Sequence, residues 1–317
     1  MFEKILFATT ASPTCDDAAK VAFELSKKNH SKLTVLHVFG IPTRAFSPFV
    51  KDLHTGKEEM VSDEYIAQVI AEMRATYAEL LKDHPDCELI AMVGEPGTEI
   101  LRLARKIDAN LVVMGAHTRG DEIGATRHRA IAGSTMQRVA RTARCPVLVV
   151  SRPCITCWSY FANIVVGTDF SKAADNAFAF ALNVAKDIGC RLHLFHALDL
   201  AAETGAGGLD QTEVEARLAR ARKKMEERYI PKMGDFDNYL IEVWEGSPYV
   251  EILKYARENK ADLIALSHHT REVDPEQALI GSTVEQVVLR SACPVLSVNQ
   301  PDKVDVSPYG YRPQPQQ

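Results

Sequence analysis

Short continuous apolar runs alternate along this chain with longer stretches in which apolar residues recur every three to four positions. Residues 4–9 and 32–39 are β-branched or apolar and predict strands, and the amphipathic stretch 16–28 between them predicts a helix. Apolar residues at helical spacing over 58–81 predict a second helix. A strand over 88–93, a helix over 98–107, a buried strand over 111–115, a helix over 134–143 and a last strand over 147–150 follow. The pattern then starts again, with strands predicted over 163–168, 191–197, 238–244, 263–267 and 295–298. Helices over 175–186, 210–229, 250–258 and 282–289 separate them. Continuous apolar strands alternating with helices mean a parallel sheet covered on both faces. Each half therefore reads as a five-stranded, doubly wound α/β domain, with ligands expected beyond the carboxyl ends of its strands.

The recurrence is a sequence repeat as well as a structural one. Displaced by 159 positions, Phe2, Ile5, Thr9, Ser12, Asp16, Ala18, Ala22, Lys27, Leu33 and His37 all meet their own kind in the second half. A displacement of 152 superposes the block from Gly94 to Arg119 on that from Gly246 to Arg271. A displacement of 148 pairs Cys145-Pro146-Val147-Leu148 with Cys293-Pro294-Val295-Leu296. Three collinear blocks in one order mean duplication, with the length differences in loops.

Composition narrows the partners. The 317 residues are 46% apolar and 25% charged, which excludes a largely disordered chain. A net charge of −5, from 37 basic and 42 acidic side chains, provides no electrostatic footprint for nucleic acid or for an anionic membrane. No apolar run approaches the ~20 residues that span a bilayer. Strand-like sequence begins directly after Phe2-Glu3, so no secretory signal is expected. Seven dispersed cysteines, an odd number, fit a reduced, cytoplasmic protein.

Candidate chemistry gathers at the predicted strand ends. The first strand of each half runs into Thr9-Thr10-Ala11-Ser12 or Thr168-Asp169-Phe170-Ser171. The fourth runs into Met114-Gly115-Ala116-His117-Thr118 or Leu266-Ser267-His268-His269-Thr270. A loop then leads to Gly133-Ser134-Thr135 or Gly281-Ser282-Thr283 at the start of a helix. Amides at a helix N-terminus behind a glycine form an anion site, and Asp169 suits a ribose hydroxyl, a purine amine or a metal. Ser134-x-x-Gln137 and Ser282-x-x-Glu285 also fit capping boxes that need no ligand. His37 and His196 close buried strands and read as packed, hydrogen-bonded residues. His117, His268 and His269 have no carboxylate or cysteine at ligand spacing, so no metal site is expected. Cys154-Ile155-Thr156-Cys157 supplies half a zinc site and lies between the repeats; incidental thiols, redox sensing and a shared zinc are the readings open to it. No Gly-x₄-Gly-Lys-Ser/Thr loop and no Gly-x-Ser-x-Gly elbow occurs, and no catalytic residue is assigned.

Taken together, Thr168-Asp169-Phe170-Ser171, the strand-ending His37 and His196, the Gly-Ser-Thr before the last helix and Cys-Pro-Val-Leu resemble the universal stress protein family in its tandem form. The resemblance implies two Rossmann-like, adenine nucleotide α-hydrolase-like domains over 1–153 and 161–301, a linker over 154–160 and a disordered tail over 302–317. It also implies a role in stress response and dimers formed by pairing last strands, here a pseudo-dimer within the chain and a homodimer. One branch of the family binds ATP through Gly-x₂-Gly-x₉-Gly-Ser/Thr, and another lacks the pattern. In the first half Gly115 matches, but Thr118 replaces the second glycine, the spacer to Gly133 is longer, and Thr10 stands where the acid is expected. In the second half Asp169 matches, but Ser267 and Thr270 replace both early glycines. The resemblance thus implies ATP, with Mg as its counter-ion, held in the second half by Asp169, Ala197 at the base, and Gly281, Ser282 and Thr283 at the phosphates. The first-half set is Val38, Met114 and Gly115, with Gly133, Ser134 and Thr135 at the phosphates. A nucleotide-free interaction module with relic clefts is the alternative. A slow ATPase or a thiol switch at Cys154 and Cys157 is a third reading.

Overall fold

The computed structural model describes residues 2–10, 15–43, 48–53, 56–116, 134–150, 161–200, 210–267 and 282–298, and the chain divides into two compact units, Met1–Trp158 and Ser159–Gln317. The first unit contains β1 (Lys4–Thr9), α1 (Asp16–Asn29), β2 (Lys32–Pro42), β3 (Phe49–Asp52), β4 (Glu58–Met60) and α2 (Asp63–Thr76). It continues with α3 (Ala78–Leu81), β5 (Glu88–Val93), α4 (Pro96–Lys106), β6 (Leu111–Gly115), α5 (Ser134–Thr142) and β7 (Val147–Val150). The second unit contains β8 (Asn163–Gly167), α6 (Lys172–Ile188), β9 (Arg191–Leu198), α7 (Gln211–Met233) and β10 (Tyr239–Glu245). After these come α8 (Pro248–Glu258), β11 (Leu263–Ser267), α9 (Ser282–Arg290) and β12 (Val295–Val298).

Within the first unit the parallel ladder runs β5-β2-β1-β6-β7. Within the second it runs β10-β9-β8-β11-β12. By order along each half this is third, second, first, fourth, fifth. The winding reverses between the first and fourth strands, as the doubly wound reading requires. The central strands are buried on both faces: Ile5, Leu6, Phe7, Leu111, Val112 and Val113 are all 0% exposed, as are Ile164, Val165, Leu263 and Ile264. That is why their sequences are continuously apolar.

Local chemistry sets the helix ends. The Ser171 hydroxyl accepts from Ala174 N (3.0 Å) and opens α6, and Gly189 closes it at φ +77°. Pro96 and Pro248 stand in the first turns of α4 and α8, where a missing N–H costs nothing, so both helices start two residues earlier than predicted. Ahead of each proline the backbone bends at Gly94 (φ +150°) and Gly246 (φ +136°). A Cβ there would lie 2.6 Å from Glu99 Cγ or 2.8 Å from Glu251 Cγ, so the bend needs glycine on two counts.

The segment 58–81 departs from its prediction. Instead of one helix, β4 pairs antiparallel with β3, and β3 with the extended end of β2, forming a β-arm. The helix starts only at Asp63, where the Ser62 hydroxyl accepts from Tyr65 N (3.2 Å). Met60, which helical spacing assigns to a buried stripe, is 57% exposed on the arm, directly opposite Phe49. A three-residue strand is too short for its alternation to compete with the helical pattern beside it.

At the amino edge of each sheet one side chain ties the first strand to the fourth. Asn110 Oδ1 accepts from Glu3 N (3.1 Å) and Lys4 N (2.9 Å). Asp262 Oδ2 accepts from Ala162 N (2.7 Å) and Asn163 N (3.0 Å). The 152-residue displacement superposes these two residues.

Candidate functional site

In doubly wound sheets a reversal of winding opens a crevice at the carboxyl ends of the strands on either side of it, here the first and fourth of each unit. In the second unit β8 runs there into Thr168, Asp169, Phe170 and Ser171. Side chains fix this turn on its own backbone. The buried Thr168 hydroxyl accepts from Phe170 N (3.0 Å) and bonds Tyr229 Oη (2.6 Å). Asp169 Oδ1 accepts from Ser171 N (2.9 Å). Phe170 sits in the left-handed region (φ +63°), a costly place for a bulky residue. Its ring is held 4.5 Å from that of His196, and Lys224 Nζ of α7 lies 4.1 Å from its centroid. His196 donates from Nδ1 to the Thr168 carbonyl (2.8 Å). Asp169 is thereby presented to solvent with one oxygen committed to the turn and the other outside any hydrogen bond among the described residues. Such a carboxylate accepts from a hydroxyl or an amine.

Of the other second-half candidates, Ala197 is half-exposed near the end of β9, and Ser267 likewise at the end of β11. Ser282 opens α9, and the half-buried Thr283 lies in its first turn. Gly281, His268, His269 and Thr270 lie outside the described residues.

The first unit repeats the scaffold and differs in the turn after its first strand. Thr9 Oγ1 and Tyr77 Oη are 2.5 Å apart, and His37 Nδ1 donates to the Thr9 carbonyl (2.9 Å). Where the second half has its acid stands Thr10, whose hydroxyl lies 3.3 Å from Cys15 Sγ. Val38, the counterpart of Ala197, is buried, as is Met114, while Gly115 is half-exposed. The ladder of β2 with β5 slips one residue at Phe39, whose carbonyl accepts from Leu53 N of the arm (2.8 Å) and whose ring packs on Tyr65 at 5.5 Å. Tyr65 in turn donates to Asp52 Oδ2 (3.2 Å). The first-half crevice is thus bordered by an arm that the second half does not have among its described residues. Ser134, exposed, and Thr135, half-buried, open α5. Ser134 is itself helical, so the capping position falls on Gly133, outside the described residues together with His117 and Thr118.

Hydrophobic patterning does not disclose the Thr–Tyr pairs. Burial pushes Tyr77 and Tyr229 up to about 12, so both stay protonated and bridge the end of a strand to a distant helix segment. A signal existed: the 152-residue displacement, carried upstream of Gly94, takes Met73 and Tyr77 onto Met225 and Tyr229, all buried. His37 and His196 are packed and hydrogen-bonded, as expected. Burial pushes the Cys145 thiol up to about 12, which makes it inert. Cys154 and Cys157 lie outside the described residues. Among the described residues no cluster of three or more His, Cys, Asp or Glu side chains could hold a metal, and no helix is long and apolar enough to cross a membrane.

Comparison with known proteins decides the family. The model of the universal stress protein family matches twice, over residues 1–151 and 161–299. The chain belongs to the universal stress protein family. A universal stress protein of Methanocaldococcus jannaschii is 30% identical over 145 residues, covering 45% of this chain and 85% of that relative. One from Bacillus subtilis is 27% identical over 158 residues, covering 47% of this chain and 99% of its own. Each thus matches about one half, as a duplication demands. A crystal structure of a universal stress protein from Archaeoglobus fulgidus superposes with a TM-score of 0.63 at 21% identity, covering 94% of this chain and 98% of that one. It shares the two-domain α/β fold of this universal stress protein.

Proposed function

We propose that this universal stress protein acts in stress response by binding an adenine nucleotide, ATP, and that the second half holds the higher-affinity site. The observation that carries the proposal is Asp169, an exposed carboxylate with an uncommitted oxygen at the point where the winding reverses. Its second oxygen, which the bond from Ser171 N leaves free, fits a ribose hydroxyl. Ala197 would line the base, and Gly281, Ser282 and Thr283 the phosphates at the N-terminus of α9, with Mg as their counter-ion. In the first half Thr10 has no carboxylate to offer, and its hydroxyl faces Cys15. Val38, Met114, Gly115, Gly133, Ser134 and Thr135 would form the weaker counterpart. Calorimetric titration of the full chain with ATP and Mg tests this. We expect saturable heat, weakened about tenfold or more by Asp169→Ala, the ~1.5–3 kcal/mol of a charge-assisted hydrogen bond. Absence of heat at millimolar nucleotide, or an unchanged isotherm in the Asp169→Ala protein, would overturn it.

A further inference from the structure

At the amino edge of the second sheet, opposite the crevice, lies a buried polar chain that neither the fold nor the nucleotide reading uses. His193 of β9 is 2% exposed, and both its ring nitrogens are bonded. Nε2 faces Asn163 Oδ1 of β8 at 3.0 Å, and Nδ1 faces Tyr255 Oη of α8 at 2.8 Å. An amide oxygen only accepts, so Nε2 carries the proton and donates. Nδ1 is then the acceptor, and the Tyr255 hydroxyl donates to it. The chain is complete only for a neutral imidazole. A second proton on Nδ1 would turn the bond round, placing a charge in this buried site and leaving the Tyr255 O–H, 3% exposed, with no acceptor among the described residues.

Three elements meet at this chain. Tyr255 stacks on Phe195 (4.7 Å, 27°) and meets Trp244 of β10 edge-on at 5.2 Å. Asn163 is held through its backbone by Asp262 ahead of β11. The ionisable groups around His193 are Tyr255 on α8, Arg191 on its own strand, Glu242 on β10, which acts on Tyr255, and Asp262 through Asn163. None places a carboxylate against the ring to welcome a proton; the hydrogen-bond partners are an amide and a phenol. The first half has no such chain: Lys4, Thr34 and Leu103 stand where the displacements of 159 and 152 would put Asn163, His193 and Tyr255.

We infer that the Asn163–His193–Tyr255 chain is an acid-sensitive joint of the second half, whose protonation releases α8 from β8 and β9 while the first half stays closed. Burial, seconded by the Arg191 guanidinium, brings His193 down to about 4. With the opened state near the ordinary 6.5, the joint loses stability as pH falls from about 6.5 toward 4 and changes little outside that window. At pH 5 that difference multiplies the opening equilibrium about 30-fold relative to pH 8.

Hydrogen exchange of the full chain at pH 8 and pH 5, corrected for intrinsic rates, reads this directly. Peptides from β8, β9 and α8 should lose about 30-fold in protection at pH 5, while those from β1, β2 and α4 keep theirs. His193→Thr, which installs the first-half residue, should abolish the difference. Equal responses in the two halves, or an acid response that persists in His193→Thr, would overturn the inference. Should that variant fail to fold, the His193 ring resonance of the unmodified protein decides. No titration above about pH 5 supports the joint, and a midpoint near 6.5 refutes it.

Discussion

Asp262→Ala probes the tie between the first and fourth strands of the second unit. It removes one carboxylate oxygen that accepts from two backbone amides, Ala162 N at 2.7 Å and Asn163 N at 3.0 Å. The side chain is 8% exposed, so water replaces it poorly. Each hydrogen bond to a charged acceptor contributes about 1.5–3 kcal/mol, and both donors are only part-buried; the loss should total about 2–4 kcal/mol. Asp262→Asn keeps an acceptor oxygen, and Asn110 does the same work in the first half with bonds of 3.1 and 2.9 Å. That variant should lose less than about 1 kcal/mol. Urea unfolding followed through Trp244, whose ring packs on Phe195 and Tyr255, reports the second unit once Trp158→Phe silences the other tryptophan. At slopes of about 2 kcal/mol per molar, alanine should lower the midpoint by about 1–2 M and asparagine by less than about 0.5 M. Equal losses in both variants, or an alanine loss below about 0.3 M, would refute the hydrogen-bond account of this residue.

Three further outcomes follow from the same geometry. Tyr229→Phe removes the phenol bonded to Thr168 Oγ1 and should lower the Trp244 midpoint by about 0.5 M, for a net loss near 1 kcal/mol. Gly246→Ala forces a Cβ at φ +136° against Glu251 Cγ at 2.8 Å and should destabilise the second unit by about 2 kcal/mol or more, read in the same assay. Partial burial raises Asp175, but the bonds from Arg228 (2.8 and 2.9 Å) and Lys232 (3.2 Å) outweigh it and hold the carboxyl below its ordinary value. The stabilisation it gives is therefore present above about pH 4 and lost as pH falls through the lowered value. Asp175→Asn should flatten a melting-temperature series between pH 5 and pH 2.5, and a series parallel to the unmodified protein would contradict this.

The sequence disclosed the fold because duplication and strand apolarity are both redundant signals. Each half predicts the other, and strands such as β6 and β11 cannot be mistaken for surface. Asp169 was legible for the opposite reason: an acid at the end of a buried strand breaks the local pattern. The contacts that fix it were not. Thr168 and Tyr229 are 61 residues apart, and His193 reads as one polar residue in an apolar strand until its partners, 30 and 62 residues away, are brought to it. The β-arm escaped because strands of four and three residues carry too little alternation to outweigh a neighbouring helical stripe. Its Leu53 amide bonds the carbonyl of the bulged Phe39 near the end of β2.

The central claim is that duplication left two scaffolds and one high-affinity nucleotide site. Native mass spectrometry of the full chain with Mg and ATP, titrated to saturation of the tighter site, counts that directly. The account predicts a single bound nucleotide per chain, its half-saturating ATP concentration raised about tenfold or more in Asp169→Ala and unchanged in Thr10→Ala. No adduct, two adducts of equal affinity, or one adduct whose half-saturation Asp169→Ala leaves unchanged would contradict it.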